Sequence, residues 1–197
     1  MLHDDPFERG LTWVGRPMEL VRIADSVYVD QARHNFQDYV SRTLAASQAV
    51  GGRFNPPGEF GALYTATDRE TAWEEAAARF RRQGVPGLPP DMGVIGIIVI
   101  VGRYAPLTEA SAREAWDVPL AALAAEDPTP EEREIGWNIA RAVRAVADFL
   151  QSPSARANGD NLPLFPDREG SELRMDFQFA EREAVPDHLR QPVTEPW

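Results

Sequence analysis

The longest apolar run in the chain, residues 94–101 (VIGIIVIV), constrains the fold more than any other segment. It is far shorter than the roughly 18–20 residues a membrane-crossing helix needs. Gly96 interrupts it, and Gly93 and Gly102 flank it. β-Branched residues at strand length predict a buried strand over residues 93–101.

Residues 1–17 carry glycine, proline and charge without periodicity and read as a lead-in. Residues 18–24 (MELVRIA) and 62–66 (ALYTA) read as strands, and residues 37–50 as a weakly capped helix. Thr67, with Glu70 three positions on, predicts a capping box opening a helix that runs to about Gln83. Its apolar face is Ala72, Trp73, Ala76, Ala77 and Phe80. Residues 84–90 read as a loop and residues 108–125 as one or two short helices.

A second capping box, Thr129 with Glu132 and Pro130 at the first helical position, opens the longest helix. Its expected core stripe is Ile135, Ile139, Val143, Val146, Phe149 and Leu150, and it stops before Pro153. Residues 161–165 (NLPLF) predict a strand that is at an edge or bulged, because proline cannot donate to a ladder. Leu173, Met175, Phe177 and Phe179 alternate with polar residues, the mark of a half-exposed strand. Residues 186–197 read as a tail. Strands and helices mix without regular βαβ alternation, so the class is α+β. No glycine-rich nucleotide-binding fingerprint of the Rossmann or P-loop kind is present.

The chain has 197 residues, enough for one domain with a sizeable core. It has no cysteine, which removes disulfides, thiolate metal sites and a cysteine nucleophile. His3, His34 and His188 are far apart, and no metal is expected. The start of the chain lacks the basic and apolar regions of a secretory signal. A cytoplasmic, metal-free protein is the expectation. The formal net charge of −11 argues against direct nucleic-acid binding, which draws on a basic field. It leaves room for a small anionic ligand held by local arginines, and it suits a partner with a basic face.

Residues 51–80 carry the chemistry. Gly51 and Gly52 let the backbone take unusual dihedrals before Arg53, whose planar fork suits phosphate or carboxylate. Tyr64 follows in a strand and Glu75 in the next helix, at equal steps along the chain, so the three could converge on one cleft. Plainer readings stand beside this one. Glu75 and Arg79 are spaced as a surface helix pair, and Tyr64 could be a core aromatic. Asn55 could only shape its loop, Ser154 could be a turn serine, and Arg22 a solvent-facing strand residue.

The run GGRFNPPGEFGALYTATDRETAWEEAAARF resembles the signature of RES-domain toxins: a Gly-Gly-Arg-aromatic-Asn turn, a tyrosine strand, and a helix with an Ala-x-x-Glu step. Ser154-Ala155-Arg156, Asn161 to Phe165 and Val21 to Ala24 resemble further family elements, so the likeness spans residues 19–166. The resemblance implies an ADP-ribosyltransferase-like fold, a compact β-core flanked by helices. It implies a lead-in over residues 1–18, a catalytic domain over 19–182 and a tail over 183–197. It also implies a toxin that cleaves NAD at the nicotinamide–ribose bond by hydrolysis or phosphorolysis, with no cofactor beyond NAD as substrate. A helix-turn-helix antitoxin and a homodimer are the implied partners. An ADP-ribosyltransferase acting on a protein, or an inactive antitoxin-binding module, are the alternatives.

Carried over by residue, the family pattern has Arg22 and Arg53 holding phosphate and Tyr64 orienting the nicotinamide end. Glu75 steadies the ribose, and Ser154 places nicotinamide or ribose. Asn55 belongs to the same binding set. Residues 30–48 look like an insertion relative to the family, which makes Arg33 a possible substitute for Arg22. Adjacent glutamates leave the carboxylate at Glu74 or Glu75, with the Ala-x-x-Glu step favouring Glu75.

Overall fold

The computed structural model describes residues 10–190, so His3 and parts of the expected lead-in and tail lie outside the described residues. Eight strands form one sheet: β1 (Thr12–Trp13), β2 (Met18–Asp25), β3 (Leu63–Ala66), β4 (Met92–Val101), β5 (Arg103–Pro106), β6 (Phe149–Pro153), β7 (Asp160–Leu164) and β8 (Arg174–Arg182). Their order is β1-β5-β6-β7-β3-β2-β4-β8. Only the β5–β6 pairing is parallel. The mixed class, with a β-core flanked by helices, is the one the sequence implied.

The apolar run is β4, inside the sheet between β2 and β8. Its two faces feed different cores. Ile95, Ile97 and Val99 pack with Val29, Tyr39 and Val40 of helices α1 (Ser26–His34) and α2 (Phe36–Val50). Val94 and Met92 pack with Ala72, Trp73, Ala76 and Ala77 of α3 (Arg69–Arg82). Alanines on that face of α3 let the helix lie close to the sheet. A third core joins α4 (Ala110–Ala115), α5 (Leu120–Ala124) and α6 (Pro130–Val146) to β5 and β6.

Several expectations change. Asp68, not Thr67, caps α3: its carboxylate accepts from the Thr71 backbone N–H at 2.8 Å. Thr67 instead accepts from the Asp160 N–H at 2.9 Å and ties α3 to β7. The box at Thr129 and Glu132 forms as expected. However, α6 ends at Val146, and Phe149 and Leu150 belong to β6 rather than to the helix stripe. Ile135 is also exposed rather than in the core. A short loop and a buried strand continued the helical spacing by coincidence, which periodicity alone does not separate.

Residues 161–165 are not an edge. β7 is interior, and Pro163 sits opposite Tyr64 of β3. β8 is one of the two edge strands, alternately exposed as its pattern predicted. α1, capped by Asp25 onto the Val27 N–H at 2.9 Å, has too weak a pattern to have been read from sequence. The first part of the expected tail is packed: Val185 and Leu189 are buried with α3, and a 3-10 helix, Asp187–Leu189, leads to a bridge between Leu88 and Arg190.

Candidate functional site

The turn before β3 is built from its glycines outward. Gly51 ends α2 with φ of 74°, the left-handed region glycine tolerates best. A Cβ on Gly52 would stand 2.5 Å from the Tyr64 hydroxyl oxygen, so only glycine fits there. The Tyr64 hydroxyl donates to Asn55 Oδ1 at 2.8 Å and accepts from the Phe54 N–H at 2.8 Å. Asn55 Nδ2 donates to the carbonyls of Ser47 and Phe60 at 2.9 and 3.0 Å. Asn55 is fully buried with its amide engaged in these contacts. It holds the turn through these contacts. Burial raises the Tyr64 pKa well above its ordinary value, so the hydroxyl stays protonated and serves as a strut.

α6 clamps the same turn from outside. Trp137 Nε1 donates to the Gly52 carbonyl at 2.8 Å. A Cβ at Gly136 would meet the Arg53 carbonyl oxygen at 2.7 Å. Gly136→Ala should therefore push the turn off α6 and cost about 1–3 kcal/mol, as overpacking does. Thermal melting checks the cost, and an unchanged melting temperature would show that the turn yields freely.

Glu75 rises from α3 toward β6 and β7. Its Oε1 accepts from Ser154 Oγ at 2.7 Å and from Asn161 Nδ2 at 2.8 Å. Its Oε2 has no partner among the described residues and is not among the buried unpaired atoms. One oxygen is anchored and the other makes no hydrogen bond among the described residues. Ser154 thus holds the carboxylate. The same Oγ accepts from the Arg156 N–H at 3.1 Å. The neighbouring Glu74 points elsewhere and pairs with His188 at 3.1 Å. Glu75 makes no ion pair with Arg79, so the plain surface-pair reading fails.

Around this carboxylate gather arginines. Arg22 Nη1 donates to the Tyr64 carbonyl at 2.7 Å, and its Nε is buried without a partner. Arg33 lies apart, donating to the Ala180 carbonyl and pairing with Asp30, so Arg22 is the arginine that reaches Tyr64. Arg53 Nη2 donates to the Ala122 carbonyl at 2.9 Å. Among the described residues, Arg22, Arg53, Arg79 and Arg82 have no carboxylate within 4 Å. Burial lowers the Arg53 pKa; the charge of Glu75 opposes this, while Arg156 and Arg82 add to it. Burial, with Arg22 adding like charge, brings Arg79 down to about 10. Desolvated positive groups crowded together cost free energy unless an anion joins them.

The sequence reading missed Arg79, Arg82, Arg156 and Asn161 as site residues. A signal existed: Glu75, Arg79 and Arg82 follow i, i+4, i+7 spacing and share one helix face. Arg156 and Asn161 became meaningful only when β6 and β7 brought them to α3.

The RES domain family model matches residues 19–187. No curated protein matches the chain. Among solved structures, the fold is similar to a chain of the M. tuberculosis MbcT–MbcA toxin–antitoxin complex. That likeness has a TM-score of 0.64 at 15% identity and covers 91% of each chain.

Proposed function

The chain belongs to the RES domain family, and from this we propose that it is an enzyme that cleaves NAD at the nicotinamide–ribose bond, acting as the toxin of a toxin–antitoxin pair. The observation that carries the reading is a single glutamate, anchored through one oxygen and open at the other, in a field of unpaired arginines. Breaking a nicotinamide–ribose bond passes through an oxocarbenium-like state, as glycoside cleavage does. A fixed carboxylate oxygen beside the anomeric carbon stabilises charge that exists mainly in the transition state. Arginines that lack carboxylates suit the pyrophosphate of a dinucleotide.

Ser154 and Asn161 keep Oε1 occupied, so Glu75 need not reorganise during the reaction. Water or phosphate would take the ribosyl carbon once nicotinamide leaves. The partner in this reading is a helix-turn-helix antitoxin, whose basic face would meet an acidic toxin. The structural neighbour is itself one half of a toxin–antitoxin complex.

The test is NAD consumption by the purified, antitoxin-free protein, with and without inorganic phosphate. Turnover is expected, and a phosphate requirement would identify the acceptor. A folded protein that releases no nicotinamide under either condition would overturn the reading.

A further inference from the structure

One turn beyond Glu75 along α3, a cavity of about 250 Å³ opens between Arg82 of that helix and Arg156 of the β6–β7 connection. Ala78, Arg81, Glu126 and Asp127 complete its lining. The volume lies below that of a pocket for a whole drug-sized ligand, and fits one end of a larger molecule. The Arg156 side chain is only 6% exposed. Its Nη2 donates to the Glu126 carbonyl at 2.5 Å and stands 3.5 Å from an Asp127 carboxylate oxygen. Its Nε has no partner, which is a costly state for a buried donor.

The acidic side of the cavity is weak by comparison. The Asp127 side chain is 86% exposed, so water screens its charge. Arg82 stands at the exposed side of the cavity with Arg156 as a like-charged neighbour. Arg53 feels the same two arginines. Arg156 is the buried charge of the cavity and the one least screened by water.

We infer that Arg82 and Arg156 form a phosphate subsite of the catalytic cleft, taking a phosphate group of a diphosphate-bearing nucleotide while Glu75 faces its ribose. The inference rests on the NAD-cleaving reading for the nucleotide, but not for the anion. The Arg156 guanidinium, held by the Glu126 carbonyl, lines the cavity with Arg82 and offers a phosphate a planar charged donor group. Asp127 then acts as a surface stand-in that the entering phosphate displaces. The two substitutions should move affinity in opposite directions. Arg82→Ala removes an attractive charge, and Asp127→Asn removes a competitor.

The experiment is calorimetric binding of inorganic pyrophosphate, inorganic phosphate and ADP-ribose to the wild-type chain, Arg82→Ala and Asp127→Asn. Both positions are exposed, so folding should survive either change. Arg82→Ala is expected to weaken pyrophosphate and ADP-ribose about tenfold, the scale of one charge-assisted contact. Asp127→Asn should tighten both, by about two- to threefold. ADP-ribose binding that displaces pyrophosphate assigns the subsite to the nucleotide. Tight phosphate binding that persists beside ADP-ribose assigns it to a free phosphate and overturns the proposal. Equal pyrophosphate affinity in wild type and Arg82→Ala also overturns it. If NAD is not turned over but pyrophosphate binding still depends on Arg82, the subsite stands and the enzymatic reading falls. If Glu75-dependent turnover keeps its KM in Arg82→Ala, the reverse holds.

Discussion

Glu75→Gln is expected to lower NAD consumption by about two to three orders of magnitude, the loss seen when one preorganised charge-stabilising group is removed. The substitution is nearly isosteric, and the local donors decide how it sits. Ser154 Oγ–H and Asn161 Nδ2–H both point at the position of Oε1. They require an acceptor there, so the glutamine carbonyl oxygen takes that place and its NH₂ takes the working position. A donor then faces the carbon where positive charge builds, and a neutral amide replaces a carboxylate. Packing is preserved, so the melting temperature should stay within a degree or two. Nicotinamide release under saturating NAD reads the effect, and the fall should appear in kcat more than in KM. A variant that turns over within threefold of wild type would remove Glu75 from the chemistry.

Asp148→Ala is expected to produce the largest loss of stability, about 3–5 kcal/mol, because it strands a buried partner. Asp148 is fully buried. Its Oδ1 accepts from Arg168 Nε at 3.0 Å, Ser171 Oγ at 2.8 Å and the Glu172 N–H at 3.3 Å. Its Oδ2 accepts from the Arg103 N–H at 2.9 Å. One side chain therefore ties the start of β5 to the loop that leads into β8. Truncation leaves the Arg168 side chain, only 10% exposed, without its counter-charge. For a chain of this size the loss corresponds to a drop in melting temperature on the order of 10 °C. The knot lies away from Glu75 and its anchors. At a temperature where the variant is folded, NAD consumption per folded molecule should stay near wild type. A shift under 2 °C, read against about 2–4 °C per kcal/mol, would show that water replaces the carboxylate.

Much of the sheet was legible because its strands carry strong local patterns. β4 announced itself as an apolar β-branched run and β8 as a strict alternation, and both patterns reflect how many faces each strand buries. The Thr129 box was legible because capping is a contact between residues three apart. Where two caps compete within one residue, as at Thr67 and Asp68, spacing could not choose. The carboxylate of Asp68 reaches the Thr71 N–H, while Thr67 is drawn away by β7. Phe149 and Leu150 were misplaced for a related reason. Burial gives a residue its apolar character in helix and strand alike, and only the pairing of β6 with β5 and β7 distinguishes them.

The site divides along the same line. The sequence by itself determined the turn and the helix step: two glycines before Arg53, a tyrosine in the next strand, and a glutamate on the helix after it. These are local requirements, and the Gly52 contact with Tyr64 shows how strict they are. Only the tertiary structure decided which glutamate faces the cleft, since Glu74 and Glu75 differ by a rotation about one helix axis. Ser154, just after β6, and Asn161 of β7, 79 and 86 residues downstream, bind one of them and not the other. The tertiary structure alone also engaged the Asn55 amide in the turn and gathered Arg82 and Arg156 beside Arg53. The physical reason is that hydrogen-bond partners and the desolvation of charge belong to neighbours in space, which chain spacing does not record.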